Sequence, residues 1–144
     1  MITVKIRKTH PEAIIPRFAT SGAACFDLHA LYQGEAGAYS SSPAVRTGLA
    51  FDVPEGHVML IYSRSGHGFK DGVRLSNCVG VIDADFRGEI HVKLKNDSPL
   101  RFDFKAGDRI AQAMILPIPT VSFIEVSELT NTERGAGGFG STGA

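Results

Sequence analysis

No window of 11 or more residues in this chain carries a convincing helical periodicity, which narrows its fold more than any single motif does. The chain is built instead of short β-like runs. Residues 2–7 alternate apolar and polar side chains, and residues 26–30 form a short mixed run. Residues 58–62 are continuously apolar, the pattern of a strand covered on both faces. Residues 90–95 alternate cleanly, which predicts one wet face. Residues 110–116 run into Pro117 and Pro119, and a last strand is expected around 120–126. Gly34, Gly37, Pro54-Glu55-Gly56, Asp71-Gly72, Asn96-Asp97-Ser98-Pro99 and Ala106-Gly107-Asp108 punctuate these runs as turns. The best helical candidate is a short turn within residues 65–71. Short strands broken this often predict an all-β sandwich or barrel.

At 144 residues the chain is long enough for one domain with a real core, or one domain with a tail. Fifteen Lys and Arg balance fifteen Asp and Glu. A neutral chain has no global field for duplex DNA or an acidic membrane, so neither is an expected partner, while a local cluster still suffices for a small anion. No apolar run approaches a membrane span, and the alternating N-terminus does not read as a signal peptide. Cys25 and Cys78 match no metal-ligand spacing and read as buried free thiols in a reducing compartment.

Four stretches concentrate groups able to do chemistry. Ser63-Arg64-Ser65-Gly66-His67-Gly68 follows an apolar run and reads either as an anion-binding nest or as an ordinary polar turn. Asn77-Cys78-Val79-Gly80-Val81-Ile82-Asp83-Ala84-Asp85-Phe86-Arg87-Gly88-Glu89 is denser. Asp83 follows an apolar run, where an apolar setting would make it a general base; the alternative is a turn-capping carboxylate. Asp85 is placed to pair with Arg87 or Lys93, and the Asn77 amide can both donate to and accept from a base edge. In Gly107-Asp108-Arg109-Ile110-Ala111-Gln112, Asp108 and Arg109 read as a turn and ion pair. Gln112 is an amide in an apolar run that must find partners in the core or in a ligand. Residues 134–144 hold five of the sixteen glycines. That density reads as a disordered tail, or, given Arg134, Phe139, Ser141 and Thr142 set among the glycines, as a lid that orders over a nucleotide.

Taken together, these stretches resemble the trimeric dUTP diphosphatases (dUTPases). Five motifs of that family occur in order: Gly22-Ala23-Ala24-Cys25-Phe26-Asp27-Leu28, Arg64-Ser65-Gly66, the stretch from Asn77 to Glu89, Gly107-Asp108-Arg109-Ile110-Ala111-Gln112, and Arg134 through Thr142. The resemblance implies a jelly-roll-like distorted β-barrel over residues 1–133, assembled as a homotrimer, with a Gly-rich C-terminal arm, residues 134–144, closing over active sites between subunits. It implies a cytoplasmic enzyme (host cytoplasm if phage-encoded) that hydrolyses dUTP to dUMP and diphosphate. Such an enzyme limits uracil incorporation into DNA and supplies dUMP for thymidylate synthesis. Mg²⁺ is the implied cofactor, carried by the substrate phosphates and waters with no direct protein ligand and Asp27 supporting its water shell.

By position, Asp83 is the implied base for in-line water attack on the α-phosphorus. Asn77 with Gly80, Val81 and Ile82 reads the uracil, and Phe86 packs against the deoxyribose. Arg64, Ser65, Gly66 and Gln112 hold the phosphate chain. In the arm, Phe139 stacks on uracil, and Arg134, Gly140, Ser141 and Thr142 clamp the far phosphate end. The chain departs from the family at Cys25, at Ser63 before Arg64, at His67-Gly68-Phe69-Lys70, at His91, and at Phe86, where the family usually has Tyr. A dCTP deaminase of the same superfamily and a trimeric regulatory binding module are the competing readings.

Overall fold

The computed structural model describes residues 2–141 and 143. Eleven strands account for nearly all regular structure among them: β1 (Lys5–Lys8), β2 (Phe26–His29), β3 (Gly34–Ala36), β4 (Val45–Asp52), β5 (His57–Tyr62), β6 (Val73–Leu75), β7 (Val79–Ile82), β8 (Glu89–Val92), β9 (Leu94–Asn96), β10 (Phe102–Phe104) and β11 (Arg109–Pro117). They form sheets of order β1-β4-β8 and β2-β11-β5-β7, with two-stranded pieces β10-β3 and β6-β9. The named pairings are antiparallel. The result is the expected all-β, jelly-roll-like barrel. No described helix is long and apolar enough to cross a membrane.

The core lies between the sheets. Leu28, Leu49, Met59, Leu75, Ile90, Leu94 and Ile110 are fully buried there. Most alternate with a more exposed neighbour, as the period of two requires, whereas Thr47 to Phe51 of β4 are buried in succession. The clean alternation of residues 90–95 holds, but the run is divided: β8 and β9 are separate strands in separate sheets, broken at Lys93. Asn96 ends β9 fully buried. Its amide donates to the carbonyls of Ala36 (3.0 Å) and Leu100 (2.7 Å), which makes that burial tolerable.

Four expectations need correction. β1 covers Lys5–Lys8 rather than residues 2–7, because pairing to β4 begins only at Lys5–Asp52. β5 is not covered on both faces: Met59 and Ile61 are buried, whereas Val58, Leu60 and Tyr62 remain half-exposed. The last strand is absent: after Ile118, whose N–H still donates to the Gly56 carbonyl (2.8 Å), residues 119–126 join no strand, and Val121, Phe123 and Ile124 are exposed. A strand needs an edge to bond to, and this segment leaves the barrel beyond Pro117. The cysteines are free, but Cys25 is only half-buried and Cys78 is exposed, at φ 62° in the turn between β6 and β7.

The expected turn after Arg64 is present. Residues 67–71 form one π-helical turn (His67–Asp71), closed by Gly72 in the left-handed conformation at φ 67°. Such turns are rare and concentrate at functional sites.

Candidate active site

β7 is an edge strand, and beside it opens a cavity of about 390 Å³. Ile61, Leu75 and Val92 supply apolar walls; Asn77, Gly80, Val81 and Ile82 line it along β7 and the turn before it. This gathers four of the residues expected to read a base. Gly80 pairs with Ile61, and a Cβ at Gly80 would stand 3.2 Å from the Ile61 Cβ, so the close approach of β7 to β5 depends on the missing side chain. β6 and β7 do not pair with each other, since β6 pairs with β9 and β7 with β5, and residues 76–78 join them in a tight turn. The exposed Asn77 side chain stands on its rim.

Ser76, His91 and Lys93 also line the cavity. The Ser76 hydroxyl is buried with no hydrogen-bond partner. His91 and Lys93 fall on the wet face that the alternation of residues 90–95 identifies, so that pattern was the available signal for them. Ser76 gave none.

Asp83 leaves the end of β7 and is exposed, which corrects the expectation of an apolar setting. A strand end at a sheet edge has no layer above it within one chain. The Asp83 carbonyl accepts the Phe86 N–H (3.2 Å), so the residues from Asp83 to Phe86 form a turn. Phe86 is partly exposed and lies over Gly88, where a Cβ would come within 2.5 Å of the ring carbon Cζ. Arg87 does not pair with Asp85. It reaches Asp52 at 2.7 Å and donates to the Phe86 carbonyl at 3.0 Å, clamping the turn against β4.

Glu89 then starts β8 in a dense knot. Arg46 donates through Nε (3.0 Å) and Nη2 (2.7 Å), Thr9 through its hydroxyl (2.8 Å), and Gly48 through its backbone N–H (2.9 Å). Hydrogen bonding from Arg46, against the cost of burial and with help from Thr9 and Gly48, holds the carboxyl at about 2. Gly48 has φ 70° at a register shift in the β4–β8 pairing, and a Cβ there would strike Ala13 at 2.7 Å.

A second cluster forms where β2, β11 and the chain leaving β5 come together. Asp27 on β2 accepts from Arg64 Nε (3.2 Å) and Arg109 Nη1 (3.4 Å). Arg109 therefore does not pair with Asp108, which accepts the Lys105 N–H instead (2.7 Å). Gln112 lies opposite both Asp27 and Tyr62, and its amide donates to the Ser63 carbonyl (2.9 Å). Ser65 and Gly66 are exposed at the head of the π-helical turn. Nearby, burial lowers the pKa of His29, whose Nδ1 is buried without a partner; burial and Asp27 raise that of Cys25.

Within one chain the two groups do not meet. Arg64, Ser65, Gly66 and Gln112 do not line the β7 cavity. Arg64, Ser65 and Gly66 follow the end of β5, the strand paired to β7, and Gln112 lies on β11, one strand further. The arm joins neither group. Arg134 Nε donates to the Gly137 carbonyl (2.8 Å), Gly140 and Ser141 are exposed, and Phe139, at φ 49°, is fully exposed. Thr142 lies outside the described residues. Among the described residues no group of three His, Cys, Asp or Glu is placed to cage a metal.

Comparison with known proteins identifies the family. The dUTPase family model matches residues 11–143. A protein of Nautilia profundicola named deoxyuridine 5'-triphosphate nucleotidohydrolase is 47% identical over 145 residues, covering 97% of this chain and 98% of that one. The dUTPase of Staphylococcus bacteriophage 80alpha, solved with dUpNHpp, superposes with a TM-score of 0.91 at 26% identity, covering 100% of both chains. A mutant dUTPase from phage phi11 of S. aureus, solved to describe a structural Mg(II) ion, has the same fold, with a TM-score of 0.81 at 23% identity over 88% of this chain and 98% of that one. By sequence and by fold, then, this chain belongs to the dUTPase family.

Proposed function

We propose that this enzyme hydrolyses dUTP to dUMP and diphosphate with Asp83 as the base, in sites assembled from more than one copy of the chain. Hydrolysis of dUTP follows from membership of the family. The observation that carries the rest is the β7 cavity, which sets Asn77, Gly80, Val81 and Ile82 around one space with Asp83 and Phe86 just past the strand's end.

The uracil enters between the backbone of β7 and the apolar wall, and the Asn77 amide meets its polar edge. A pocket that hydrogen-bonds a base edge rejects the wrong base by leaving its own groups unpaired, worth up to ~10⁴–10⁵ in discrimination. Phe86 packs on the deoxyribose face and leaves no room for a 2′-hydroxyl. Asp83 takes a proton from the attacking water. Its exposure within one chain fits a site whose roof comes from elsewhere.

Arg64, Ser65, Gly66 and Gln112 hold the phosphate chain. Their absence from the lining of the β7 cavity supports a homotrimer in which one copy offers the cavity and another the phosphate cluster. The arm, residues 134–144, closes the site, with Phe139 on the base and Arg134, Gly140, Ser141 and Thr142 on the far phosphates. The exposure of Arg134, Phe139, Gly140 and Ser141 supports reach to another copy. Mg²⁺ neutralises charge on the phosphate chain when bound and keeps most of its waters. A chain without a carboxylate cage fits a cation held by substrate oxygens, and Asp27 is the carboxylate placed to accept from its water shell.

Diphosphate release from each deoxynucleoside and ribonucleoside triphosphate tests this, with Mg²⁺ and with chelator, on the full chain, on a chain ending at Glu133 and on Asp83→Asn. Release from dUTP alone is expected, lost without the arm. Asp83→Asn is expected to lower kcat at least 10²-fold while nucleotide binding persists. A wild-type rate for Asp83→Asn would refute the base assignment, and ammonia release from dCTP would replace it with deamination.

A further inference from the structure

We infer that His67, the first residue of the π-helical turn, is a positioning residue for the phosphate cluster: it pins Arg64, Ser65 and Gly66 to the start of β11. The inference rests on the reading of Arg64 as a phosphate ligand.

His67 Nε2 stands 2.8 Å from the Arg109 carbonyl oxygen. A carbonyl only accepts, so Nε2 carries the proton. The Arg64 Nη1 atom lies 3.4 Å from the same nitrogen and 3.4 Å from the same carbonyl. Two donors do not bond each other, so Arg64 and His67 converge on one shared acceptor. Nδ1 faces Asp71 Oδ2 at 3.3 Å, at the other end of the turn. The ring meets Phe102 of β10 edge-on, with centroids 5.0 Å apart and planes at 73°.

No residue of this turn is buried in the core, and Gly68, Phe69, Lys70 and Asp71 are exposed. The His67 side chain, at 19% exposure, is the one that enters the packing. Ser65 and Gly66 precede it directly and make no side-chain hydrogen bond that would fix them. The turn's place over β11 is therefore set largely by one imidazole, held by the Arg109 carbonyl at Nε2 and by the Phe102 ring. Removing it frees the loop to sample positions in which Arg64 keeps Asp27 but Ser65 and Gly66 no longer face the same point. Such loosening weakens substrate binding and leaves the chemistry at Asp83 alone.

Steady-state hydrolysis of dUTP by the full chain tests this on wild type, His67→Ala, His67→Gln and Arg64→Ala, with thermal melting of each. His67→Ala is expected to raise KM about tenfold with kcat within about threefold of wild type. His67→Gln can set its amide N–H where Nε2 was, and is expected to return KM to within about threefold. An unchanged KM in His67→Ala beside a raised KM in Arg64→Ala would overturn the inference and spare the phosphate reading. An unchanged KM in both would overturn the two together. Equal losses in kcat and melting temperature for His67→Ala and His67→Gln would reduce His67 to a stabilising residue and also overturn it.

Discussion

The Glu89 knot offers the sharpest quantitative test of how the site is held. Glu89→Gln keeps the shape of the side chain and one acceptor oxygen, which can still take the Gly48 N–H. It removes the charge that Arg46 and Thr9 address. A carboxyl held at about 2 rather than at its ordinary 4.5 corresponds to about 3.4 kcal/mol of stabilisation at neutral pH, at 1.36 kcal/mol per tenfold. Arg46 is 41% exposed, so solvent screening cuts this to about 1.5–3 kcal/mol. The folded-state value is depressed, so the contribution is full above the unfolded value and fades as pH falls through the carboxylate range toward 2. Urea titrations of both proteins at equal concentration, at pH 6.5, 4.5 and 3, measure it. Equal concentration matters because an oligomer's apparent stability depends on it. A gap of about 1.5–3 kcal/mol at pH 6.5, narrowing steadily to pH 3, is the expected result. A gap under about 0.5 kcal/mol at pH 6.5, or one that does not change with pH, would refute the ionic account. β8 begins at Glu89, just after Phe86 and Gly88, so the variant should also bind dUTP less tightly.

Gly88→Ala forces the Phe86 ring off its seat, since the new methyl would lie 2.5 Å from Cζ. Its ratio of kcat/KM for dUTP over UTP should fall at least tenfold, and an unchanged ratio would separate the ring's placement from sugar choice. Of the two thiols, exposed Cys78 should react with a thiol-specific reagent in the native protein well before Cys25, whose pKa burial pushes up. Because Cys78 adjoins Asn77 on the cavity rim, a saturating nucleotide should slow its labelling.

Much of the site was legible because its residues lie in contiguous stretches. Asn77, Gly80, Val81 and Ile82 sit on one strand and the turn before it, so local order in the chain becomes proximity along the cavity wall. His91 and Lys93 were legible as a wet face, though nothing local said which space that face borders. Ser76 left no trace, because its orphaned hydroxyl follows from which strands cover it. Charge pairing misled for the same reason. Asp85 with Arg87 and Asp108 with Arg109 are neighbours in sequence, but Arg87 turns to Asp52 and Arg109 to Asp27, across strands.

By itself the sequence determined that this chain is all-β, where its turns fall, and the family to which it belongs. Period-two alternation and turn residues act over two to four positions, and a short stretch contains them whole. The tertiary structure alone decided that Glu89 is a fourfold-bonded anchor, that Gly88 seats a ring, that residues 119–126 find no partner edge, and that Arg64, Ser65, Gly66 and Gln112 stay out of the cavity beside β7. Those are relations between strands far apart in sequence, set by register and sheet order, which no local pattern encodes.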